Sequence, residues 1–413
     1  MTLASAAGDA VVPNLQLNVS VKANGMIQLK WNYAEDKTSM RTPFEVPDDI
    51  VTLSGMKEST THTVADYVTL DNHGASDPNT LLTVTSDASG NKTKIFSLGA
   101  VMLGDYLNLM NSMVYTEKGD NFQGIMGLAE RTVDNLFLPD GVYSLWSRDI
   151  PNPVEQGTLP GANLYGVHPF YMGKASDGSW FGVYTNLASA QDWWLKNDKA
   201  AGAVNITTIA AGGLGDVWIM TGKDPNEVTI KYHEIVGKPV LTPIWALGWN
   251  QCKWGYKNVT ELRAVKAGYA ENDLPLDTQW TDIDYMQDYR DFTFDDNAKT
   301  FKELPQFVAE LHAADMKYIP ILDAGIAQRK GGDYDAYNTG VTKGVFIKDE
   351  AGQDDFTGEV WPVNSVYPDF FKTATKTWWK DQLTQFWKTL EFDGLWLDMN
   401  EASNFCNGAC YED

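Results

Sequence analysis

Short strand-like segments separated by turn residues run to about residue 238, and four strand–helix repeats follow them. Acidic residues close three of the later strands. These observations predict a multidomain chain. An all-β sandwich over residues 1–238 is followed, over residues 239–413, by the first half (four β/α units) of a (β/α)8 TIM barrel. The length agrees, since 413 residues exceed one ordinary domain of roughly 150. A hydrophobic content of 43% is enough for sizeable cores.

In the first part, Leu15–Val21, Met26–Trp31, Leu81–Thr85 and Lys94–Leu98 alternate partially between turn-forming Gly, Asn or Asp. DGVYSLWSRD and DGSWFGVYTN continue that style. The exception is DPNEVTIKYHEIVG, where Asp224 as N-cap, Pro225 at N1 and Gly237 as a stop predict a helix. After Lys238-Pro239 the pattern changes. PIWALGWNQ reads as an apolar strand and NVTELRAVKAGYAEN as a helix; LPLDTQWTDID is a strand, and FKELPQFVAELHAADM a helix from about Lys302. KYIPILDAG is a strand followed by a long loop, TATKTWWKDQLTQFWKTLE is a helix, and FDGLWLDMN is the last strand. Strands alternating with such helices imply a parallel sheet. No Gly-x-Gly-x-x-Gly follows the first strand, so a dinucleotide fold would lack its phosphate cradle. Four strands are half a barrel, and the chain is expected to be truncated or to need a second chain, because open apolar edges aggregate.

Composition narrows the function. A net charge of −23 repels phosphate backbones and argues against nucleic acid as a partner. No run of about 18 apolar residues is present, so no membrane span is expected. The start, MTLASAAGDA, lacks the basic and apolar regions of a signal peptide, so either the protein is cytosolic or its true N-terminus is missing. Four glycosylation sequons, at Asn18, Asn91, Asn205 and Asn258, lean towards the secretory pathway. The three cysteines, Cys252, Cys406 and Cys410, are an odd count that does not look like a disulfide scaffold. Cys406 and Cys410 have too few neighbouring ligands for zinc, and no metal or cofactor is expected.

The acids at the strand ends, Asp282/Asp284, Asp323 and Asp398, are the chemical signal. A carboxylate in an apolar strand is costly unless it is hydrogen-bonded or has chemistry to do. Each could instead cap the next turn or pair with an arginine. The five histidines stand beside no Ser or Cys in a nucleophile elbow. Glycoside hydrolysis needs only two carboxyls, one to attack or activate water and one to protonate the leaving oxygen, between aromatic walls. Trp280, Trp361 and Trp396 lie near the strand ends and suit such walls, with core filling as the alternative.

GLWLDMNEASNF (Gly394–Phe405) is similar to the nucleophile signature of the glycoside hydrolase family 31 α-glucosidases. GKPVLTPIWALGWNQCKWGY (Gly237–Tyr256), LPLDTQWTDIDYMQDYRDFT (Leu274–Thr293) and GEVWPVNSVYPDF (Gly358–Phe370) resemble further blocks of that barrel in the same order. WSRD (Trp146–Asp149), NLYGVHPFYM (Asn163–Met172) and GGLGDVWIMTGKDPNEV (Gly212–Val228) resemble its sandwich domain.

The resemblance implies a retaining enzyme that releases glucose from the ends of α-glucoside oligosaccharides or polysaccharides in a secreted, lysosomal or vacuolar setting. It implies that Asp398 is the nucleophile and that Glu401 supports the site through hydrogen bonds, with capping of the next turn as its alternative. It implies that Asp282, with Ile283 beside it, binds hydroxyls of the sugar being cleaved, and that Asp149 reaches from a sandwich loop towards the leaving sugar. Ile326, Trp361, Trp396 and Met399 match the pocket wall. Three departures stand out. Ala324 replaces the usual Pro after the third-strand Asp, and Val363 replaces the usual Gly after Val-Trp-Pro. The acid/base Asp and a substrate-binding His belong to a later, missing C-terminal barrel half, so the chain alone is expected to be inactive. The alternatives are an α-xylosidase of the same family and a non-catalytic relative that binds glycans or a partner.

Overall fold

A computed structural model of the chain describes residues 15–33, 46, 56–60, 63–70, 80–86, 90, 92–103, 107–128, 130–132, 135–147, 163–213, 215–329, 332–406 and 408–410. The chain divides into two compact units, Met1–Pro239 and Val240–Asp413.

The first unit is built from two antiparallel sheets. One has six strands in the spatial order Leu15–Val21, Ile27–Tyr33, Asp216–Gly222, Trp180–Thr185, Phe170–Lys174, Ile125–Gly127. The other has seven, in the order Val68–Leu70, Leu82–Ser86, Thr93–Leu103, Asn108–Tyr115, Ala203–Ala210, Gln191–Asp198, Gly141–Leu145. Inward residues of both sheets, among them Leu29, Trp31 and Val217 from one and Val84, Trp193 and Ile206 from the other, form one buried cluster, which makes the pair a sandwich. Alternation drives this packing. In Gln191–Asp198 every second residue from Gln191 to Leu195 is buried and its neighbours are exposed. The helix Pro225–Val236 starts where Asp224 accepts from the Glu227 N–H at 2.9 Å and stops at Gly237, whose φ is 86°. Its buried residues Val228 and Ile235 pack with Phe170, Tyr184 and Met220.

The second unit is a half-barrel. Four parallel strands stand in the order Asn250–Gln251, Thr278–Thr281, Lys317–Asp323, Trp396–Asp398. The helices Val259–Glu271, Leu304–His312 and Thr373–Thr389 alternate with them along the chain. Leu262, Phe307, Leu311, Tyr318, Leu322 and Phe386 pack sheet and helices into one core. Parallel strands need such crossovers, because both faces of their sheet must be covered.

Two expectations are corrected here. PIWALGWNQ is mostly not a strand: Ile244–Leu247 form a 3-10 turn closed by Ala246 N–H to Pro243 O at 3.0 Å and Gly248 N–H to Trp245 O at 3.2 Å, and only Asn250–Gln251 pair. An apolar run without alternation does not distinguish a strand from a tight turn. The long loop after Asp323 also holds structure. The short strands Ile326–Ala327, Thr357–Val360 and Val363–Val366 make an antiparallel sheet, and the helix Asp335–Lys343 packs nearby over Phe346 and Trp378. Strands of two to four residues are too short to show a period.

The helix Val259–Glu271 is capped by Asn258, whose Oδ1 accepts from the Glu261 N–H at 2.8 Å, while Glu261 Oε2 accepts from the Lys257 N–H at 2.8 Å. Asn258→Ala is expected to destabilise the protein by about 1 kcal/mol, whereas Asn258→Ser, which keeps a capping oxygen, costs a few tenths. Urea unfolding curves of the two variants check this, and equal losses would remove the cap as the cause.

Candidate active site

In a parallel sheet all strands finish at the same end, and register decides which residues stand side by side. Ile321, Leu322 and Asp323 pair with Trp396, Leu397 and Asp398, so Asp323 and Asp398 are neighbours on the last rung. Thr281 pairs with Pro320 on the other side, which puts Asp282 at the end of the adjoining strand. Three carboxyls therefore meet at the C-terminal end of the sheet.

Their electrostatics reflect that crowding. Burial pushes the Asp323 carboxyl up to about 7, with the Asp398 and Asp282 charges adding to the shift. Asp282 is also raised, by burial first, then by Asp284 and Asp398, although the Ile283 N–H that its carboxylate accepts at 2.7 Å opposes the change. That same bond caps the 3-10 turn Ile283–Tyr285, so Asp282 fulfils the capping reading as well as standing in the cluster.

Behind them lies Asp291, which the sequence reading did not single out. It is 1% exposed, and its Oδ1 accepts from the Asp323 N–H at 3.0 Å. The Tyr334 hydroxyl donates to its carbonyl at 3.0 Å. Burial and the adjacent Asp323 raise its pKa well above the usual carboxylate range. Asp291 Oδ2 and Asp323 Oδ1 are both buried without a hydrogen-bond partner among the described residues. Two buried like charges so close are costly, and both carboxyls are pushed towards the protonated form. The only sequence signal for Asp291 is an acid set between Arg290 and Phe292 ahead of the helix Leu304–His312.

Asp393 shows the contrast. It precedes the strand Trp396–Asp398 and sits at the N-terminal end of the sheet, where its N–H donates to the Tyr318 carbonyl at 2.9 Å. Burial alone would raise its carboxyl, but the Tyr318 N–H at 2.9 Å, His312 at 2.8 Å and Lys317 at 3.2 Å hold it below the usual range. That carboxylate is an anchor and is consumed by its partners.

The remaining residues fall into two sets. Trp396 faces Trp280 with ring centroids 5.8 Å apart, and Trp280 Nε1 donates to Asn250 Oδ1 at 2.9 Å. Trp361 lies between Trp254 and Phe405, at 5.9 Å and 5.3 Å, as part of a partly exposed aromatic row. Met399 follows the nucleophile candidate with φ of 58°, in the left-handed region. Glu401 Oε2 accepts from the Ser403 hydroxyl at 3.4 Å. Ile283 and Ile326, by contrast, are 2% and 0% exposed, inside separate core clusters, and offer no surface to a ligand. Asp149 lies outside the described residues.

The segment after Asp398 is tied down. Asn404 Oδ1 accepts from the Glu359 N–H at 2.9 Å, the Tyr367 hydroxyl donates to Ser403 O at 2.9 Å, and Cys410 N–H donates to Thr357 O at 2.9 Å. Cys406 and Cys410 form a disulfide with Cα atoms 5.7 Å apart, which corrects the inference from the odd cysteine count. Cys252 is the free one. The signal was there in the turn-forming Asn-Gly between the two cysteines.

Comparison with known proteins agrees with this geometry. Residues 239–413 match the glycosyl hydrolases family 31 TIM-barrel domain. The chain is 39% identical over 289 residues to the lysosomal alpha-glucosidase of Mus musculus, covering 70% of this chain and 29% of that protein. It is 34% identical over 293 residues to glucoamylase 1 of Candida albicans, covering 69% and 30%. Among solved structures, the glucosidase II alpha subunit bound to Glc1Man2 superposes with a TM-score of 0.78 at 18% identity, over 95% of this chain and 48% of that one. A family 31 alpha-glucosidase from Bacteroides thetaiotaomicron does so with a TM-score of 0.61 at 26% identity, over 73% and 48%. The chain thus spans about three tenths of the length of the curated relatives it matches.

Two measurements test the site's energetics. The folded Asp323 pKa of about 7 lies above the unfolded value of about 3.9, so the folded protein binds more protons between those limits. Asp323 therefore favours the fold most at low pH, and that contribution is lost as pH rises towards 7. Asp323→Asn should gain in Tm over the parent as pH is raised from about 4 to about 8; parallel Tm curves would show an unperturbed carboxyl. At Val363, a β-branched residue with φ of 69°, the left-handed backbone costs roughly 1–3 kcal/mol. Val363→Gly is expected to stabilise by about 1 kcal/mol after glycine's entropy is subtracted, as read from denaturant midpoints.

Proposed function

This chain belongs to the family 31 glycosyl hydrolases through residues 239–413, and on that premise we propose that it carries the nucleophile half of a retaining, exo-acting α-glucosidase. The observation that carries the reading is the last rung of the parallel sheet, where register sets Asp398 beside Asp323, one strand from Asp282. Asp398 attacks the anomeric carbon of a terminal α-linked glucose. The bond to the leaving oxygen breaks as that oxygen takes a proton from a general acid, and a glycosyl-enzyme ester remains. Water then displaces the ester with the same acid acting as base, and configuration is retained.

Asp282 and Asp323 accept hydrogen bonds from the sugar's hydroxyls. Trp396, Met399 and Trp361 line the pocket, with Ile283 and Ile326 packed behind the residues that touch sugar. Glu401 positions the turn after the nucleophile.

None of the described carboxyls is assigned as the acid/base: Asp323 stands on the strand beside the nucleophile and Asp282 one strand further on the same side. The sheet supports a further polypeptide segment that brings this group. Among the described residues, the strands Asn250–Gln251 and Trp396–Asp398 each pair on one side only, and Leu247, Trp249 and Leu397 beside them are exposed. Alone, the chain is accordingly inactive on maltose, malto-oligosaccharides and aryl α-glucosides. The secretory pathway is the inferred compartment. A disulfide suits its oxidising lumen, and the relatives' names point the same way.

Asp398→Ala, in protein completed by the remaining barrel strands, is expected to lose about four orders of magnitude or more in kcat. Azide restores turnover with β-glucosyl azide as the product, and a 5-fluoro-glucosyl fluoride labels the peptide 394–405 in the parent. Unchanged hydrolysis by Asp398→Ala would overturn the assignment, and preference for aryl α-xylosides over α-glucosides would move the substrate to xylose.

A further inference from the structure

The sandwich carries a feature the proposed reaction does not use. On the outer face of its seven-stranded sheet, Trp194 and Val142 are each 52% exposed, and they stand opposite one another on neighbouring strands. Trp194 also pairs with Thr207, and Lys196 pairs with Asn205. Paired residues of antiparallel strands point to the same face, so Asn205 is the diagonal neighbour of the exposed indole, about 7–8 Å away between backbones and within reach of a long substituent. Asn205-Ile206-Thr207 is a glycosylation sequon. The Asn205 side chain is partly exposed and makes no hydrogen bond to a described residue.

We propose that Asn205 is N-glycosylated and that the first sugars of its glycan lie over Trp194 and Val142, covering this apolar patch of the sandwich. The donor is a lipid-pyrophosphate-linked oligosaccharide. Asn205 Nδ2 attacks C1 of its terminal N-acetylglucosamine, the new N–C bond forms, the C1–O bond to pyrophosphate breaks, and Nδ2 loses one proton as the lipid pyrophosphate departs. Transfer precedes folding, because the Thr207 hydroxyl of the folded sandwich donates to Asn111 Oδ1 at 2.8 Å and the strand is paired on both sides. Once the chain folds, the aliphatic face of the sugar ring meets the indole face, and its hydroxyls stay in water.

The other sequons lack this arrangement. Asn258 spends its Oδ1 on a helix cap, Asn18 is exposed on an edge strand, and Asn91 lies outside the described residues. The inference shares only the secretory compartment with the proposed function.

Protein purified from its source is treated with an amidase that releases N-glycans in heavy-oxygen water, and its peptides are weighed. The expected result is labelled aspartate at position 205. Glycans at Asn18 or Asn258 with position 205 unlabelled would overturn the inference and leave the compartment standing; no glycan at any sequon would overturn both. Contact is read separately on folded protein. Trimming the glycan is expected to lower Tm by roughly 2–4 °C in the parent and by much less in Trp194→Thr. Equal losses in the two backgrounds would show that the sugar does not cover the indole.

Discussion

Like charges brought together by strand register are the constraint on which the second unit turns. Parallel strands end together, and pairing Ile321–Asp323 with Trp396–Asp398 leaves two carboxyls on one rung with a third beside them. Nothing local favours that arrangement, since the Asp398 charge raises the cost of ionising both Asp323 and Asp282. It persists because the strand Lys317–Asp323 is buried from Tyr318 onward, where Leu322 shares a core with Phe307 and Leu311 of the helix Leu304–His312. A slip by one residue would exchange the side chains packed on the two covered faces, so close packing on both faces enforces the register and the register enforces the repulsion. Stability given up at strand ends is what a site for chemistry looks like in energetic terms.

Aspartates of this unit show how environment assigns roles to one side chain. Asp393 meets an N–H, a histidine and a lysine and is held as a carboxylate. Asp291 meets a second carboxyl in a buried space, and its pKa is raised well above the usual range. Asp282 caps a turn while standing within the field of Asp398. Position along the strand separates these outcomes: the N-terminal end of the sheet supplies an N–H, a histidine and a lysine, and the C-terminal end supplies further acids.

The sandwich obeys a different rule. Its two sheets share one core, and alternation sends every second side chain outwards. An outward Trp194 is therefore a consequence of pattern, and its surroundings decide what it meets. A sequon one diagonal away places a sugar within reach of an otherwise uncovered ring.

Much of this was legible in the sequence. Alternation marked the strands of the sandwich, and Asp224-Pro225 with Gly237 marked its helix. Four strands alternating with three helices, with acids at strand ends, identified the half-barrel and pointed to Asp282, Asp323 and Asp398, because each rests on local spacing. The rest was decided by tertiary structure. The 3-10 turn at Ile244–Leu247 and the three-stranded sheet inside the long loop depend on pairings too short to leave a period. Above all, Asp291 gave almost no signal. Its part arises from a hydrogen bond to Asp323 across 32 residues of chain, a contact that no local pattern encodes and that exists only once the sheet and its cover have packed.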